Sequence, residues 1–514
     1  MQGPFTDQFP LNMSKTSLTR SFNKIGLVLS YLADLALFLA VLVILPPFIA
    51  RLFGFPTINL PAILPFLLSS VISFAFGIGC KLLPTEKGRR PLKTTGALIV
   101  VSLGWILVSL LGALPFVFEL QASFLDSFFE AMSGFTTTGI TMFTGLDHMP
   151  ASILLWRSMT QWVGGLGILT LFLFLVFSGG AAHRLFSAES HKVFSKRPAP
   201  GMFNTLKILW SIYALFTLVT AIALWLQGLD PFEALNHAFT TLSTGGFSTH
   251  DASIAHFERV GFPHYRWIEY TIIFSMTLGG ISFFNHYRLL RGEIRALWDG
   301  LEIRLWWKII CGSLFLVMLD HFLNAGGERL LEVFRNSLFQ VVAVLTTTGF
   351  ATEDIAGPFF PAMAKQVFLV LMVIGGCVGS TGGGVKVLRI GVLWEMVRRQ
   401  IRKTVYPRGA VNPIIVDGEK IESDELRRIA SFFFLWSLLL VAGGAITALF
   451  SDLSPLASLS GIFSALGNIG PTYIPLEQLQ ALGPAIKMTY VFAMLAGRLE
   501  ILPLLLLLNR RAWR

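Results

Sequence analysis

Four short segments rich in glycine and threonine recur along this chain, and an apolar stretch long enough to form a helix follows each of them. Their sequences are TTTGI, STGGF, TTTGF and GNIGP, at residues 136–140, 243–247, 346–350 and 467–471. The aligned glycines are separated by 107, 103 and 121 residues. That repeat is too long for a solenoid unit and suits a module of helix, re-entrant loop and helix. The chain is therefore predicted to supply one pore-lining element four times.

The composition excludes a water-soluble globule. Of the 514 residues, 54% are hydrophobic and 14% are charged, and the mean hydropathy is +0.67. A soluble protein of this length needs more polar surface, so we predict an all-α polytopic membrane protein. No small-residue cleavage site precedes the apolar stretch 25–50, which is expected to be a retained helix and not a signal peptide.

The formal net charge of +10 could suggest nucleic-acid binding, but the distribution of the basic residues along the chain indicates a membrane topology instead. Basic residues concentrate near the N-terminus and in alternate connections, at residues 81–93, 184–207, 288–308, 386–428 and 510–514. By the positive-inside rule these connections and both termini face the cytoplasm. The four Gly/Thr segments then open to the outside.

Ten membrane spans fit this orientation. They are predicted at residues 25–50, 61–83, 95–118, 153–178, 207–228, 266–287, 306–324, 362–392, 428–450 and 485–508. The first two form an accessory two-helix hairpin, and the other eight form four pseudo-symmetric helix–pore loop–helix modules around a central pore. The expected divisions are 1–93 for the N-terminal segment and hairpin, then 94–206, 207–305, 306–426 and 427–514 for modules 1 to 4.

A short helical pattern precedes each Gly/Thr segment. Asp230 followed by Pro231 is a strong start signal, Ser454 opens the fourth pattern, and Asp126 is expected to cap the first. If these half-helices point inward from the outer face, their partly negative C-terminal ends converge near the membrane centre. That arrangement favours a cation.

The Gly/Thr segments are predicted to form an alkali-cation filter. A dehydrating cation needs a ring of oxygens, and backbone carbonyls supply them without buried charges. Glycine tolerates the backbone geometry that turns carbonyls inward. The candidate filter residues are Thr137, Thr138, Gly139, Ile140, Thr244, Gly245, Gly246, Phe247, Thr347, Thr348, Gly349, Phe350, Asn468, Ile469 and Gly470.

A second glycine repeat follows each segment, and its third copy is predicted to break a span. The first two copies, at residues 164–167 and 279–282, are expected to allow close helix packing. The third is expected to form a mobile intramembrane loop beneath the pore centre, interpreted as a gate, with a passive kink as the alternative. Its candidate residues are Gly375, Gly376, Gly379, Ser380, Thr381, Gly382, Gly383 and Gly384.

The fourth copy carries Arg498 at mid-span, where a charge is costly and usually faces a wet cavity or a partner. We interpret Arg498 as an electrostatic barrier in the pore, with a structural ion pair as the alternative. Glu130 and Glu233 in the short helices are expected to orient backbone. The histidines near the outer loops are expected to be solvated and not metal-bound; they are His148, His237, His250, His256 and His264.

Taken together, these motifs resemble the Trk/Ktr/HKT superfamily of potassium transport proteins, and most of all its bacterial TrkH/TrkG branch. The matching features are the four single-glycine pore loops, the run 375–386, the segment 497–501 and the two additional N-terminal helices. The resemblance implies an inner-membrane K⁺-translocating subunit that forms a homodimer and is controlled by cytoplasmic TrkA-like, NAD- or ATP-binding regulatory subunits. It also places the four aligned glycines in the filter, makes the glycine-rich loop the gate and puts Arg498 in the permeation path.

Gly139 stands where some members of that superfamily carry serine and pass sodium, so the resemblance implies potassium selectivity. The fourth loop departs from the family pattern at Asn468, Ile469 and Pro471. A transporter that couples K⁺ to H⁺ or Na⁺ remains the alternative, with Glu500 and Asp320 as its candidate carboxylates. A membrane enzyme is the third hypothesis, but no nucleophile–base or carboxylate pair stands out, and neither an organic cofactor nor nucleic-acid binding is expected.

Overall fold

The computed structural model describes residues 13–55, 60–82, 94–177, 202–324, 329–405, 407, 412–509 and 513. Within them the chain is helical apart from one antiparallel pair of short strands, β1 (Ile415–Val416) and β2 (Glu419–Lys420), in which Ile415 lies opposite Lys420. The predicted all-α class is confirmed. Most of the predicted basic connections 81–93 and 184–207, and nearly all of 510–514, lie outside the described residues.

The accessory region and module 1 come first along the chain. The accessory helices are α1 (Met13–Val43), α2 (Leu45–Leu52) and α3 (Leu60–Leu82). Module 1 contains α4 (Thr94–Gly112), α5 (Leu114–Leu120), the pore helix α6 (Phe124–Phe135), a 3₁₀ turn (Leu146–His148) and α7 (Ala151–Phe177). In each module a Gly/Thr segment directly follows the pore helix.

The other modules repeat this order. Module 2 contains α8 (Met202–Leu226), the pore helix α9 (Pro231–Leu242), α10 (Ala255–Arg259), α11 (Tyr265–Gly280), α12 (Phe283–Leu290) and a 3₁₀ turn (Ile294–Leu297). Module 3 contains α13 (Leu301–Asn324), the pore helix α14 (Leu330–Leu345), α15 (Ala362–Ile374) and α16 (Val387–Val405). Module 4 contains α17 (Ser423–Leu449), the pore helix α18 (Pro455–Gly467), α19 (Leu476–Gln480), α20 (Pro484–Leu499) and α21 (Leu502–Leu508).

Several predicted spans are broken helices. In the described part of the chain, five helical stretches are long and apolar enough to cross a membrane, or six if the pair α11–α12 counts as one span bent by 104°. The predicted span 362–392 breaks after Ile374, as its glycines indicated. The continuous helices predicted at 266–287 and 485–508 were wrong: the first stops at Gly280, and the second stops at Leu499 and resumes at Leu502.

Polar caps start three of the four pore helices. Asp230 accepts a hydrogen bond from the backbone N–H of Phe232 (2.8 Å), and Ser454 accepts one from Ala457 (3.3 Å). The first pore helix is capped by Ser123 and not by Asp126, because the Ser123 hydroxyl accepts from the Asp126 N–H (3.1 Å). These caps satisfy otherwise unpaired donors at the helix starts.

The modules close into a ring. One apolar core cluster contains buried side chains from the accessory region, module 1 and module 4, including Leu39, Phe129 and Tyr490. Helix α20 packs directly against the first pore helix. The fourth module therefore contacts the first, as a ring around a central axis requires.

Candidate ion filter and intramembrane gate

All four pore helices end with the same backbone turn. The residue two positions before each aligned glycine has a left-handed conformation although it is not glycine: φ is 52° at Thr137, 53° at Thr244, 60° at Thr347 and 55° at Asn468. Positive φ is unusual for a β-branched residue, whereas asparagine tolerates it better. Asn468 therefore preserves the fourth turn where the threonine pattern is lost.

The hydrogen bonds of the turn repeat as well. The residue before each aligned glycine donates its N–H to the pore-helix carbonyl five positions earlier; the bonds join Thr138 to Ser133 (2.8 Å), Gly245 to Thr240 (2.9 Å), Thr348 to Ala343 (2.9 Å) and Ile469 to Ser464 (3.0 Å). This is the Schellman type of helix ending. The chain thus leaves each pore helix along one route in all four modules.

The four loops touch in a closed cycle at their glycines. A β-carbon built on Gly139 would lie 2.2 Å from the carbonyl oxygen of Gly245, and one built on Gly246 would lie 1.9 Å from that of Thr348. The corresponding distance is 1.8 Å from Gly349 to Ile469 O, and 3.1 Å from Gly470 back to Thr138 O. Each glycine therefore packs on the carbonyl that precedes the glycine of the next loop, and the fourth loop completes the cycle on the first.

The aligned glycines are also more accessible than most of their neighbours in the loops. Each of the four is partly accessible, whereas the flanking Ile140, Phe247 and Phe350 are at most 3% exposed. Among the described residues, the carbonyl oxygens of Thr138, Thr348 and Ile469 accept no hydrogen bond. Buried carbonyls normally have a partner. These carbonyls can therefore accept a cation or water.

Side chains behind the loops compensate for their differences in sequence. In loops 1 and 3 the hydroxyls pair within the loop, Thr136 with Thr138 (2.7 Å) and Thr346 with Thr348 (2.8 Å). Loop 2 has Gly245 at that position, and Gln161 of α7 fills the space, donating to Gly245 O (2.8 Å) and accepting from Phe247 N (3.0 Å).

In loop 4 the side chain of Asn468 provides the corresponding support. Its side-chain N–H group donates to the hydroxyl of Thr138 (2.9 Å) and to the carbonyl of Met494 (2.9 Å). The amide thereby connects the fourth loop to the first.

A buried ion pair braces the first two loops. Arg157 of α7 donates to Glu130 (2.8 Å) and to the Ser248 carbonyl (3.0 Å), and Glu130 also accepts from Met142 N (2.8 Å). Glu130 thus orients backbone, as expected from the sequence. Sequence reasoning missed Arg157 and Gln161, although an arginine inside an apolar span is itself a signal of a buried partner.

The predicted gate loop, residues 375–386, lies in the interior directly below the filter loops. All of its residues are buried. Thr347 accepts a hydrogen bond from Gly383 N (2.7 Å), and Thr381 donates to the carbonyl of Leu242 at the end of the second pore helix (2.9 Å). A β-carbon on Gly383 would lie 2.3 Å from the Gly467 carbonyl oxygen, so the loop also packs on the fourth pore helix.

The second glycine repeat explains how the gate loop comes so close to its neighbours. A β-carbon on Gly164 would meet the Phe135 carbonyl at 2.1 Å, which confirms close packing for the first copy. In the second copy the carbonyls of Gly279 and Gly280 accept hydrogen bonds from Thr381 (3.1 Å) and Cys377 N (2.9 Å). The helix ends there, so this copy both packs and receives the gate loop.

Arg498 holds the gate loop from below. It is 2% exposed and donates to the carbonyl of Thr381 (2.8 Å) and to that of Gly164 (3.3 Å). Glu500 is instead paired with Arg389 of α16 (2.6 Å). Among the ion pairs of the described residues Arg498 has no carboxylate partner, so its charge is met by backbone carbonyls of two modules.

A second support reaches the gate loop from the start of α13. The carboxylate of Glu302 accepts a hydrogen bond from Val378 N (2.7 Å). One residue earlier, Leu301 N donates to Asp417 (2.7 Å), which lies in the turn between β1 and β2. The strand hairpin of the linker is therefore joined to the gate loop through two carboxylates, those of Asp417 and Glu302, and the backbone between the adjacent residues Leu301 and Glu302.

Asp320, His237 and His250 already have hydrogen-bond or ion-pair partners. Asp320, a candidate for ion coupling, accepts from Ala364 N (2.7 Å) and from Asn324 (2.8 Å). His237 is fully buried and bonded to Glu233 O (2.9 Å), so its predicted solvation was wrong: the outer loops fold back over the second pore helix. His250 also lies in a cluster and not in open solvent.

Comparison with known proteins agrees with this architecture. The chain is 33% identical over 437 residues to the Trk system potassium uptake protein TrkH of Escherichia coli K12, covering 84% of this chain and 88% of that protein. It is 32% identical over 429 residues to the Trk system potassium uptake protein TrkI of Halomonas elongata, covering 82% and 85%.

The fold matches the crystal structure of the potassium transporter TrkH from Vibrio parahaemolyticus with a TM-score of 0.83 and 29% identity, over 95% of this chain and 100% of that one. The sequence model of the family described as "TrkH: Cation transport protein" matches residues 64–320 and 327–511. Cation transport is not an enzyme class. On this match the chain belongs to the TrkH family of cation transport proteins.

Proposed function

We propose that this protein takes up potassium ions across the bacterial inner membrane through one central pore lined by its four Gly/Thr segments. The observation that carries the proposal is the closed cycle in which each aligned glycine packs on a carbonyl of the next loop. Four chemically equivalent backbone positions around one axis suit a dehydrated alkali cation. The potassium transport named for the relatives supports the same ion.

The pore helices supply the electrostatic part of the selectivity. Each one ends at a filter loop, and the C-terminal end of a helix carries about half a negative charge. Four such ends attract a cation without a carboxylate in the filter. Gly139 at the first position keeps the loop small, which favours potassium over sodium in line with the family resemblance.

Residues 375–386 act as the gate in this proposal, and Arg498 is the electrostatic barrier beneath the filter. The contacts of the loop with Thr347, Leu242 and Arg498 support its position across the ion path. Conduction then requires the loop and the guanidinium to move aside. Shortening the run Gly382–Gly384 is expected to raise ion flux, and unchanged flux would count against a gate.

The regulatory assignment rests on the family and on the linker. We propose that the chain works as a homodimer with both termini in the cytoplasm, and that cytoplasmic TrkA-like nucleotide-binding subunits control it. The Trk-system names of the relatives imply association with other Trk components. The bond between Asp417 and Leu301 gives such a subunit a route from the strand hairpin to the gate loop.

The testing experiment is uptake of rubidium or sodium into liposomes that contain only this protein, with and without an imposed pH gradient. We expect rubidium uptake that excludes sodium and follows the membrane potential alone. Equal uptake of both ions would refute the filter. Uptake that requires the pH gradient would refute the channel-like pore in favour of a coupled carrier, and would direct attention to Glu500 despite its ion pair with Arg389.

A further inference from the structure

A histidine–carboxylate cluster lies on the outer side of the filter, where the loops of modules 1 and 2 meet. Asp147 belongs to the turn after loop 1, whereas His250 and His256 follow loop 2. One ligand atom from each of the three lies within 4.8 Å of the others. The Nδ1 atoms of His250 and His256 are 2.6 and 3.7 Å from the same Asp147 oxygen, Oδ1. Nothing in the potassium pathway described above uses these side chains.

A carboxylate already holds the other ring nitrogen of His250. Its Nε2 atom is 2.9 Å from the carboxylate of Glu233, at the start of the second pore helix. A carboxylate on one ring nitrogen fixes the proton there and directs the lone pair of the other nitrogen towards a metal. His250 thus has the carboxylate–histidine arrangement of metal ligands, with Nδ1 directed at Asp147.

We propose that Asp147, His250 and His256 bind a divalent transition-metal ion, with Zn²⁺ as the best-fitting ion and Glu233 as the positioning residue. Two imidazoles and one carboxylate suit zinc, whereas magnesium and calcium prefer sites made of oxygen alone. Three protein ligands leave a fourth position for water. This proposed metal site does not depend on the proposed potassium pathway.

The ion can reach the site with local movement only. Side-chain exposure is 35% for Asp147 and 26% for His256, and a cavity of 470 Å³ bordered by Asp147, Glu233 and His250 opens beside them. The two imidazole rings stack in parallel, with centroids 3.5 Å apart. Because a metal lies in the plane of each ligating ring, His256 must tilt out of the stack when the ion binds.

The metal would take the place of a proton. Each ring nitrogen of His250 lies within hydrogen-bond distance of a carboxylate oxygen: Nδ1 is 2.6 Å from Asp147 and Nε2 is 2.9 Å from Glu233. A metal ion displaces the Nδ1 proton and joins the same two loops by coordinate bonds, so it would stiffen the outer mouth between modules 1 and 2.

The test is calorimetric titration of Zn²⁺ into the full-length protein in detergent, after removal of any polyhistidine tag. The variants are His256→Ala and Asp147→Asn, which each remove one ligand, and Glu233→Gln, which removes only the positioning carboxylate. His264→Ala is the matched control, since His264 is an exposed outer histidine elsewhere in module 2. The parent is expected to bind one ion per chain.

The ligand variants should lose at least about tenfold in affinity, and Glu233→Gln should lose a similar or smaller factor, whereas His264→Ala should match the parent. Co²⁺ substitution gives a second readout that needs no variant, because tetrahedral Co²⁺ with nitrogen ligands absorbs visible light far more strongly than the hydrated ion. No saturable binding by the parent, equal affinity of all variants, or a Co²⁺ spectrum of the fully hydrated ion would overturn the proposal. The thermal stability of each variant in detergent without metal shows that it is folded.

Discussion

The four aligned glycines differ in how much space surrounds them, and this predicts a ranked response to one substitution. Alanine at any of them places a side chain at positive φ, which costs about 1–2 kcal/mol in each case. A β-carbon at Gly470 would lie 3.1 Å from the nearest atom, a tight contact that small shifts relieve. The same carbon would lie 1.8 Å away at Gly349, 1.9 Å at Gly246 and 2.2 Å at Gly139.

The displacement that each substitution forces follows from these distances. To reach the 3.1 Å contact found at Gly470, the neighbouring loop must move by 1.3 Å for Gly349→Ala, 1.2 Å for Gly246→Ala and 0.9 Å for Gly139→Ala. The atom that must move is a backbone carbonyl oxygen of the ring itself. A misplacement of about 1 Å in a site that depends on geometry reduces its rate by about 100-fold.

We therefore expect Gly349→Ala and Gly246→Ala to lower rubidium uptake driven by the membrane potential by about two orders of magnitude. Gly470→Ala is expected to lower it by no more than about tenfold. Uptake is measured in liposomes at matched protein content, with the thermal stability of each variant in detergent as the control for folding. A Gly470→Ala variant as impaired as Gly349→Ala, with both folded, would refute the cyclic packing argument.

Substitutions at three positions, Gly139, Glu302 and Arg498, test other parts of the pathway. Gly139→Ser is expected to admit sodium, measured as the rubidium-to-sodium uptake ratio, and an unchanged ratio would remove Gly139 from the filter. Glu302→Ala removes the acceptor of Val378 N, a bond worth about 1.5–3 kcal/mol, and should raise basal flux, whereas Glu302→Gln keeps an acceptor and should raise it less. Arg498→Gln should raise flux at least fivefold, the factor that about 1 kcal/mol of barrier represents, and Arg498→Lys should stay near the parent because it retains the charge. Lower flux in Arg498→Gln would mean that the guanidinium supports the pore instead of obstructing it.

The sequence predicted what depends on local pattern. The pore-helix starts at Asp230 and Ser454 and the break after Ile374 were readable because caps and glycines act within a few residues. The break at residues 500–501 was not predicted, although Pro503 directly after it was a signal for a new helix start.

Support from distant segments could not be predicted in this way. Asn468 bonds to Thr138 across 330 residues, and Gln161 replaces a side chain that Gly245 lacks. Such pairs form only when separate modules meet around the axis, so no local pattern encodes them. The left-handed backbone at Thr137 was equally hidden, because threonine resists that conformation and only the surrounding hydrogen bonds impose it.

The gate loop and the filter share hydrogen bonds, so they cannot move independently. Gly383 N donates to the side chain of Thr347, a residue already held at unfavourable positive φ, and the Thr244 hydroxyl donates to Thr381 (3.3 Å). If residues 375–386 open as proposed, the bond to Thr347 must break, which leaves one strained filter turn with less support. Thr347→Val removes that acceptor while keeping side-chain shape, so it should raise basal flux and lower the rubidium-to-sodium ratio together. A change in flux with an unaltered ratio would show that the filter keeps its geometry without the gate loop, and that gating and selection are separable.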